Sequence, residues 1–223
     1  KHLELFLSKL VQLTKTGNSE DAIRASIGVV ALHNFGYRDF DLLTKTFDRL
    51  IPQSDKEYAK FTSWCAGQLI CHPNLAKARY TQHLFQRSIG WIRHKGQRAR
   101  PLSACYLIAS LSENDGSSVV SFNSHFQSVT WSLISHNSPE IIQSAAYAFS
   151  RYAKAIINYG RGEMDSFFHF FNMFCKSLLT YGSPVKKYAS ISLIRELILI
   201  NSDYFFSDFQ FFYDSFLNFY NKS

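Results

Sequence analysis

The chain has 223 residues, of which 46% are hydrophobic and 16% aromatic, and it contains only 10 Gly and 5 Pro. This composition excludes collagen, a coiled coil and intrinsic disorder, because it supplies ample apolar surface to offset the entropy lost on folding. The net charge is +7, the four Cys are too few for a disulfide framework, and neither a membrane-spanning apolar run nor a signal peptide is found. We therefore expect a folded protein in a reducing, cytoplasmic environment.

Apolar residues recur at intervals of three and four, as in Phe40, Leu43, Phe47 and Leu50, and this spacing predicts helices rather than strands. One set of amphipathic helices is predicted, in chain order, at about 2–14, 39–50, 75–93, 117–134 and 164–180. Each of these first helices is followed by a second helix. The structural unit is therefore predicted to be a helix pair.

The second helices share a pattern of three positions that occurs five times. A polar residue is followed seven positions later by a small residue, and seven further on by a large apolar one: Asn18/Ala25/Leu32, Asp55/Thr62/Leu69, Gln97/Ala104/Leu111, Ser138/Ala145/Tyr152 and Ser183/Ser190/Leu197. The polar residue can cap the free N–H groups that open a helix, and Pro139 and Pro184 suit the first helical position. The small residue allows another helix to approach closely.

The small residues of successive copies are 37, 42, 41 and 45 positions apart. Helix pairs of this length are typical of HEAT and armadillo repeats, in which stacked pairs bury a continuous core. The sequence thus predicts an all-α fold, an α-solenoid of about five HEAT-type helix pairs plus one further helix. The predicted single array covers 1–223, with pairs at about 1–35, 37–72, 74–112, 117–158 and 163–200 and the extra helix at 203–220.

The extra helix has ten aromatic residues and no Lys or Arg. Terminal repeats normally present a polar outer face, so we expect a further repeat to cover this helix. The chain would then be a fragment of a longer protein, as the absence of an initiator Met also suggests. Self-association through residues 203–220 is the alternative.

Several residues follow a family pattern in order and spacing. They are the turn Ile51-Pro52 with Ser54-Asp55, the helix ending Gly67 to Leu69, Trp91, the basic Arg98 and Arg100 before Ala104, and the ending Leu193 to Leu197. With them, about four of the five pairs resemble the amino-terminal HEAT region of target-of-rapamycin (TOR) serine/threonine protein kinases. The resemblance implies a non-catalytic scaffold segment whose kinase domain lies elsewhere. It also implies a raptor-like adaptor, a small GTPase in some lineages, and location in the cytoplasm or, through partners, at endomembranes.

Two other functions fit a HEAT array. A tubulin-binding TOG-type array is disfavoured, because that family places a Trp in its first intra-pair turn and residues 16–20 have none. A basic nucleic-acid-binding adaptor is also disfavoured, because exposed aromatic residues that could stack on bases are not interleaved with the basic ones.

The first half of the chain contains the excess positive charge. Residues 1–112 have 16 basic and 8 acidic side chains, whereas residues 113–223 have 8 and 9. Some of the basic residues lie on a turn within a pair, and such turns align along one edge of a solenoid. We therefore predict a partner-binding basic ridge, with solubilising surface charge as the alternative; its residues are Arg87, Arg93, Lys95, Arg98 and Arg100.

No catalytic motif is found, and we expect no catalytic, cofactor-binding or metal-binding residue. The nearest approach to a metal cluster comprises Cys65, Cys71, His72, His83 and His94. Zinc ligands usually occur in closely spaced pairs, and only Cys71 and His72 are close. Cys65 and Cys105 fall on apolar helix faces and are predicted to pack in the core. The same core packing is predicted for Trp64, Trp91 and Trp131.

Overall fold

The computed structural model describes residues 2–16, 19–34, 48–52, 55–71, 77–94, 100–160 and 162–220. Within these ranges the chain forms twelve helices and no strand, which confirms the predicted all-α class. The helices are α1 (His2–Thr16), α2 (Ser19–Asn34), α3 (Lys56–Ile70), α4 (Lys77–Arg93), α5 (Pro101–Asn114), α6 (Gly116–Val120), α7 (Asn123–Ile134), α8 (Pro139–Tyr159), α9 (Met164–Tyr181), α10 (Pro184–Ile198), α11 (Asp203–Phe206) and α12 (Phe209–Tyr220).

The predicted second helices lie side by side in one row. Helix α2 packs against α3, α3 against α5, α5 against α8, and α8 against α10. The small residues of the predicted pattern have no exposed surface at all: Ala25, Thr62, Ala104, Ala145 and Ser190 are each 0% exposed. We call these five positions the small-residue column. Its last member faces a first helix, because the Ser190 hydroxyl donates to the Cys175 carbonyl of α9 (3.0 Å).

The large apolar residues of the same pattern are also buried, at 2% exposure or less: Leu32, Leu69, Leu111, Tyr152 and Leu197. Tyr152 of α8 stacks on Phe126 of α7 with ring centroids 4.1 Å apart, and it also contacts Phe85 of α4 and Phe167 of α9. Burial of such aromatic side chains is the largest stabilising contribution in a helical core. The rings therefore join the first helices to the row of second helices.

Two predicted helices are each broken in two. The predicted helix 117–134 consists of α6 and α7, and the predicted helix 203–220 consists of α11 and α12. Helix α6 lies so close to α8 that a Cβ at Gly116 would be 2.9 Å from the Cβ of Ala155, whereas α7 packs on α4 and α8. In the second case Asp208, between the two helices, accepts a hydrogen bond from Asn172 of α9. Tertiary contacts thus override the local helical periodicity.

Of the three predicted caps in the described ranges, only Asp55 caps its helix with its side chain; Ser138 and Ser183 directly precede α8 and α10 but form no capping hydrogen bond. Asp55 accepts hydrogen bonds from the backbone N–H groups of Glu57 (3.0 Å) and Tyr58 (3.2 Å), and Pro139 and Pro184 occupy first helical positions. Helix α5, predicted to start at Gln97, starts at Pro101 instead. The residue before a proline avoids the helical region, which delays the start. Asn18, Gln97 itself and most of the predicted helix 39–50 lie outside the described residues.

The small-residue column predicts a strong effect of one substitution. Ala104→Glu would place an unpaired carboxylate at a position with no exposed surface, where there is no room and no partner. We expect a loss of more than about 4 kcal/mol of unfolding free energy, or no folded protein. Thermal and urea unfolding followed by circular dichroism would measure it. Ile27→Glu, which introduces the same charge at a second-helix position that is 54% exposed, should cost less than about 1 kcal/mol; equal effects would contradict the packing described.

Candidate protein-interaction surface

Three residues of the predicted basic ridge lie in the described ranges: Arg87, Arg93 and Arg100. Arg87 of α4 forms an ion pair with Asp48 (Nη1 to Oδ2, 3.3 Å) and lies 5.0 Å from the centre of the Trp91 ring. Arg93 donates a hydrogen bond to the Ser128 hydroxyl of α7 (3.0 Å). Both side chains therefore contact residues of their own chain.

The other members of the ridge lie at the start of α5 or before it. Arg100 is half-buried, and its backbone N–H donates to the carbonyl of Trp91 (3.4 Å). Lys95 and Arg98 lie outside the described residues. Their predicted role in partner binding stays a prediction.

A different cleft crosses the exposed side of the second helices. It has a volume of about 280 Å³ and is lined by Lys56 and Lys60 of α3, Tyr106 of α5, Gln143, Ser144 and Tyr147 of α8, and Arg195 and Glu196 of α10. We refer to it as the second-helix groove. Four helices of the row thus contribute side chains to one concavity.

Local sequence positions these side chains. Lys56 and Lys60 are four residues apart and therefore lie on one face of α3, whose start is fixed by the Asp55 cap. Gln143 and Tyr147 have the same spacing on α8. The Ser144 hydroxyl lies 3.2 Å from the Tyr106 hydroxyl, and Gln143 donates to the hydroxyl of Tyr188 on α10 (2.7 Å). Hydrogen bonds thus hold neighbouring walls of the groove together.

The groove has an excess of positive charge. Neither Lys56 nor Lys60 forms an ion pair within the described ranges, and Arg195 pairs with its neighbour Glu196 (2.7 Å). Tyr147 lies 6.2 Å from Tyr106, ring centre to ring centre, and Arg151 lies over its ring at 4.9 Å. Ammonium groups only donate hydrogen bonds, so the groove suits a ligand rich in acceptors.

The groove was not predicted from the sequence, although a periodic spacing of tyrosines could have indicated it. Tyr106, Tyr147 and Tyr188 are each 41 residues apart, which is close to the repeat length. Periodic tyrosines on second helices could have indicated a shared surface. Lys56 and Lys60 gave no comparable signal, because charged residues are ordinary on the exposed face of any helix.

The tryptophans differ from the prediction of core packing. Trp91 is half-buried against the core, but Trp64 is 53% exposed on α3, one turn beyond Lys60. The prediction for Trp64 was wrong because its position lies on the face of α3 that points away from α2 and α5. An exposed tryptophan beside unpaired lysines resembles the anchor residues of protein interfaces. The Trp131 side chain lies outside what the structure describes.

The predicted core packing of Cys65 and Cys105 is confirmed, and Cys175 is buried as well. Burial raises the pKa of each of these three thiols to about 12. Cys71 is exposed, with its sulfur 3.4 Å from the Asn114 side-chain oxygen. Among the described residues no group of His, Cys, Asp and Glu has the arrangement of a metal site.

A polar cleft of about 660 Å³ separates α9 from α11 and α12. Lys176 and Asn172 of α9 both contact the carboxylate of Asp208, and Tyr204 donates to Asp165. The hydrogen bond from Lys176 is the main cause that lowers the pKa of Asp208. These contacts fasten α11 and α12 to the rest of the chain.

Helices α11 and α12 expose much of their aromatic surface, which confirms the apolar face predicted for residues 203–220. The most exposed residues are Phe206 (80%), Phe209 (60%), Tyr213 (49%), Leu217 (45%) and Tyr220 (82%). Their side chains form the aromatic surface referred to below. Monomeric proteins rarely expose contiguous apolar patches of this kind.

Comparison of the chain with protein-family models, with curated proteins and with solved structures finds no match. Across the described ranges, no helix has both the length and the apolar character needed to cross a bilayer. The function is therefore inferred from the surfaces of the molecule itself.

The cysteine environments predict selective thiol chemistry. A raised pKa keeps Cys65, Cys105 and Cys175 protonated at pH 8, and burial excludes reagent from them. Native protein should therefore react rapidly with about one equivalent of Ellman's reagent, at Cys71, and with about four after denaturation. Cys71→Ser should remove the rapid phase, and two or more rapid equivalents in that variant would contradict the described burial.

Proposed function

We propose that the chain is an α-solenoid of HEAT-type helix pairs that acts as a non-catalytic protein-binding scaffold. The continuous row of second helices, each with a completely buried small residue, supports this architecture. So does the groove, because side chains of α3 and α10 line one cleft although α5 and α8 lie between them. A row that is concave on the second-helix side accounts for this arrangement.

The observation that carries the proposal is the composition of this concave side. It presents an exposed tryptophan, Trp64, two lysines without ion-pair partners in the described chain, and tyrosines that line a cleft. Aromatic anchors surrounded by polar groups are typical of protein interfaces. Arg87, by contrast, is paired with Asp48, which reduces the charge that a nucleic acid could contact.

The resemblance to TOR kinases refines the proposal. In this interpretation the chain is part of the HEAT scaffold of such a kinase, and a raptor-like adaptor is the class of partner it serves. Two residues of the resemblance contribute to the fold of this chain, since Ile51 is buried and Asp55 caps α3. A kinase domain encoded in the same reading frame would support this kinship, and a frame without one would contradict it.

Affinity capture with paired surface variants tests the scaffold proposal. The tagged chain is used to recover proteins from cells of its source organism, alongside Trp64→Ser and Leu5→Ser. Both substitutions remove an exposed apolar side chain, but Leu5 lies on the first helix α1 and is 62% exposed. We expect Trp64→Ser to reduce the recovered partner at least about fivefold, as loss of an anchor would, and Leu5→Ser to leave it unchanged. Equal recovery with all three proteins would contradict the proposed binding face.

The aromatic surface supports contact with another helical unit. In a solution of the purified chain the available unit is a second copy, because no other protein is present. We expect sedimentation velocity to show concentration-dependent dimers that weaken in Phe206→Ser with Phe209→Ser but not in Leu5→Ser, since burial of apolar area drives such association. A wild-type chain that stays monomeric at all concentrations would contradict self-association.

A further inference from the structure

We propose that the second-helix groove binds an acidic, extended segment of a partner protein. Lys56 and Lys60 would contact successive acidic side chains of the segment, and Arg195, on the opposite wall of the groove, would contact another. The inference rests on the proposed scaffold function, because it takes the ligand to be a protein. It goes further by naming the chemistry of that ligand and the residues that recognise it.

The charge of the groove is complementary to that of an acidic segment. The groove is lined by three basic side chains and one acidic one, and the acid, Glu196, already pairs with Arg195. Arg195 is 70% exposed at its side chain, so its other N–H groups can donate to a second carboxylate without breaking that pair. Lys56 and Lys60 have no competing acid in the described chain. An anionic ligand therefore gains attraction from two opposite walls of the groove.

The spacing of the two lysines matches the spacing of side chains along an extended segment. Residues four apart on a helix are separated by about 6 Å along its axis, which is the offset of Lys56 and Lys60. Alternate residues of an extended strand are separated by about 6.6 Å and point the same way. Acidic residues at positions i and i+2 of an extended segment therefore match these two lysines.

Tyr147 can form a hydrogen bond with the backbone of a bound segment. Tyr147 lies between α3 and α10 in the row, half-buried, and its hydroxyl has no hydrogen-bond partner within the described residues. A phenol hydroxyl can donate to a backbone carbonyl, and an extended segment offers such a carbonyl at every residue. Tyr106, held by Ser144 and almost completely buried, packs beside the Tyr147 ring and supports it.

A phosphorylated segment fits the groove less well. Phosphate recognition usually relies on several arginines that bind one group bidentately, and the groove has a single arginine, which is already paired. Nucleic acid needs exposed rings for base stacking, but Tyr106 is only 8% exposed. Separated carboxylates match separated cations better than either alternative does.

Fluorescence anisotropy with defined peptides tests the inference. The probes are a labelled Ser-Glu-Ser-Glu-Ser-Glu peptide, the same peptide with Gln for Glu, a single-phosphoserine peptide of equal length, and a short single-stranded RNA. We expect the Glu peptide to bind at least about tenfold more tightly than the Gln peptide at low salt, because exposed charges are screened at high salt.

Two double variants separate the groove from net charge. Lys56→Glu with Lys60→Glu should weaken binding of the Glu peptide at least about tenfold, since it removes the two cations and adds two anions. Lys9→Glu with Arg79→Glu makes the same charge change at exposed positions on α1 and α4 and should change affinity less than about threefold. Tyr147→Phe should weaken binding about threefold, as loss of one hydrogen bond would.

Three results would overturn the inference. Equal weakening by both double variants would mean attraction to net charge alone. Tighter, lysine-dependent binding of the phosphopeptide or of RNA would assign a different ligand. No preference for the Glu peptide over the Gln peptide would remove the groove as an acidic-segment site. None of these results removes a partner captured through Trp64, so the scaffold proposal and this inference can fail separately.

Discussion

The close approach of neighbouring second helices is the constraint on which the rest of the structure depends. Each second helix of the row completely buries one residue no larger than threonine, from Ala25 in α2 to Ser190 in α10, and a Cβ at Gly67 of α3 would collide with the Ser110 side chain of α5. A larger side chain at one of these positions would hold two helices apart and open a cavity beside it, and interiors tolerate such changes poorly. The row in turn positions the first helices through the rings around Tyr152, and it places Lys56 and Arg195 on one groove.

Side-by-side packing also determines which side chains stay exposed to solvent. A helix in the middle of the row uses two flanks for its neighbours and a third for the first helices, which leaves one face for solvent. On α3 that face presents Lys60 and Trp64, and on α8 it presents Gln143 and Tyr147. A surface assembled from one face of several helices is suited to binding an extended partner, because no single helix has to supply the whole site.

Much of this architecture is predictable from the sequence, because its determinants are local. The polar caps, the prolines at first helical positions and the recurrent small residues act over one or two turns. The predictions that failed concern features that depend on residues far apart in the sequence. The break before α12 depends on Asp208 meeting Asn172 and Lys176, and the role of Arg87 depends on Asp48, 39 positions earlier. The groove was missed because its walls come from four helices that only the fold brings together.

Hydrogen exchange measured helix by helix tests the central claim, that one continuous row of closely packed second helices stabilises the molecule. Helices α5 and α8 have a second helix on both sides, whereas α12 lies at an edge with most of its aromatic side chains exposed. In a linear array protection follows the number of packed neighbours. The account predicts the slowest exchange in α5 and α8, intermediate exchange in α2 and α10, and the fastest in α12. Uniform protection across all of these helices, or slowest exchange in α12, would contradict it.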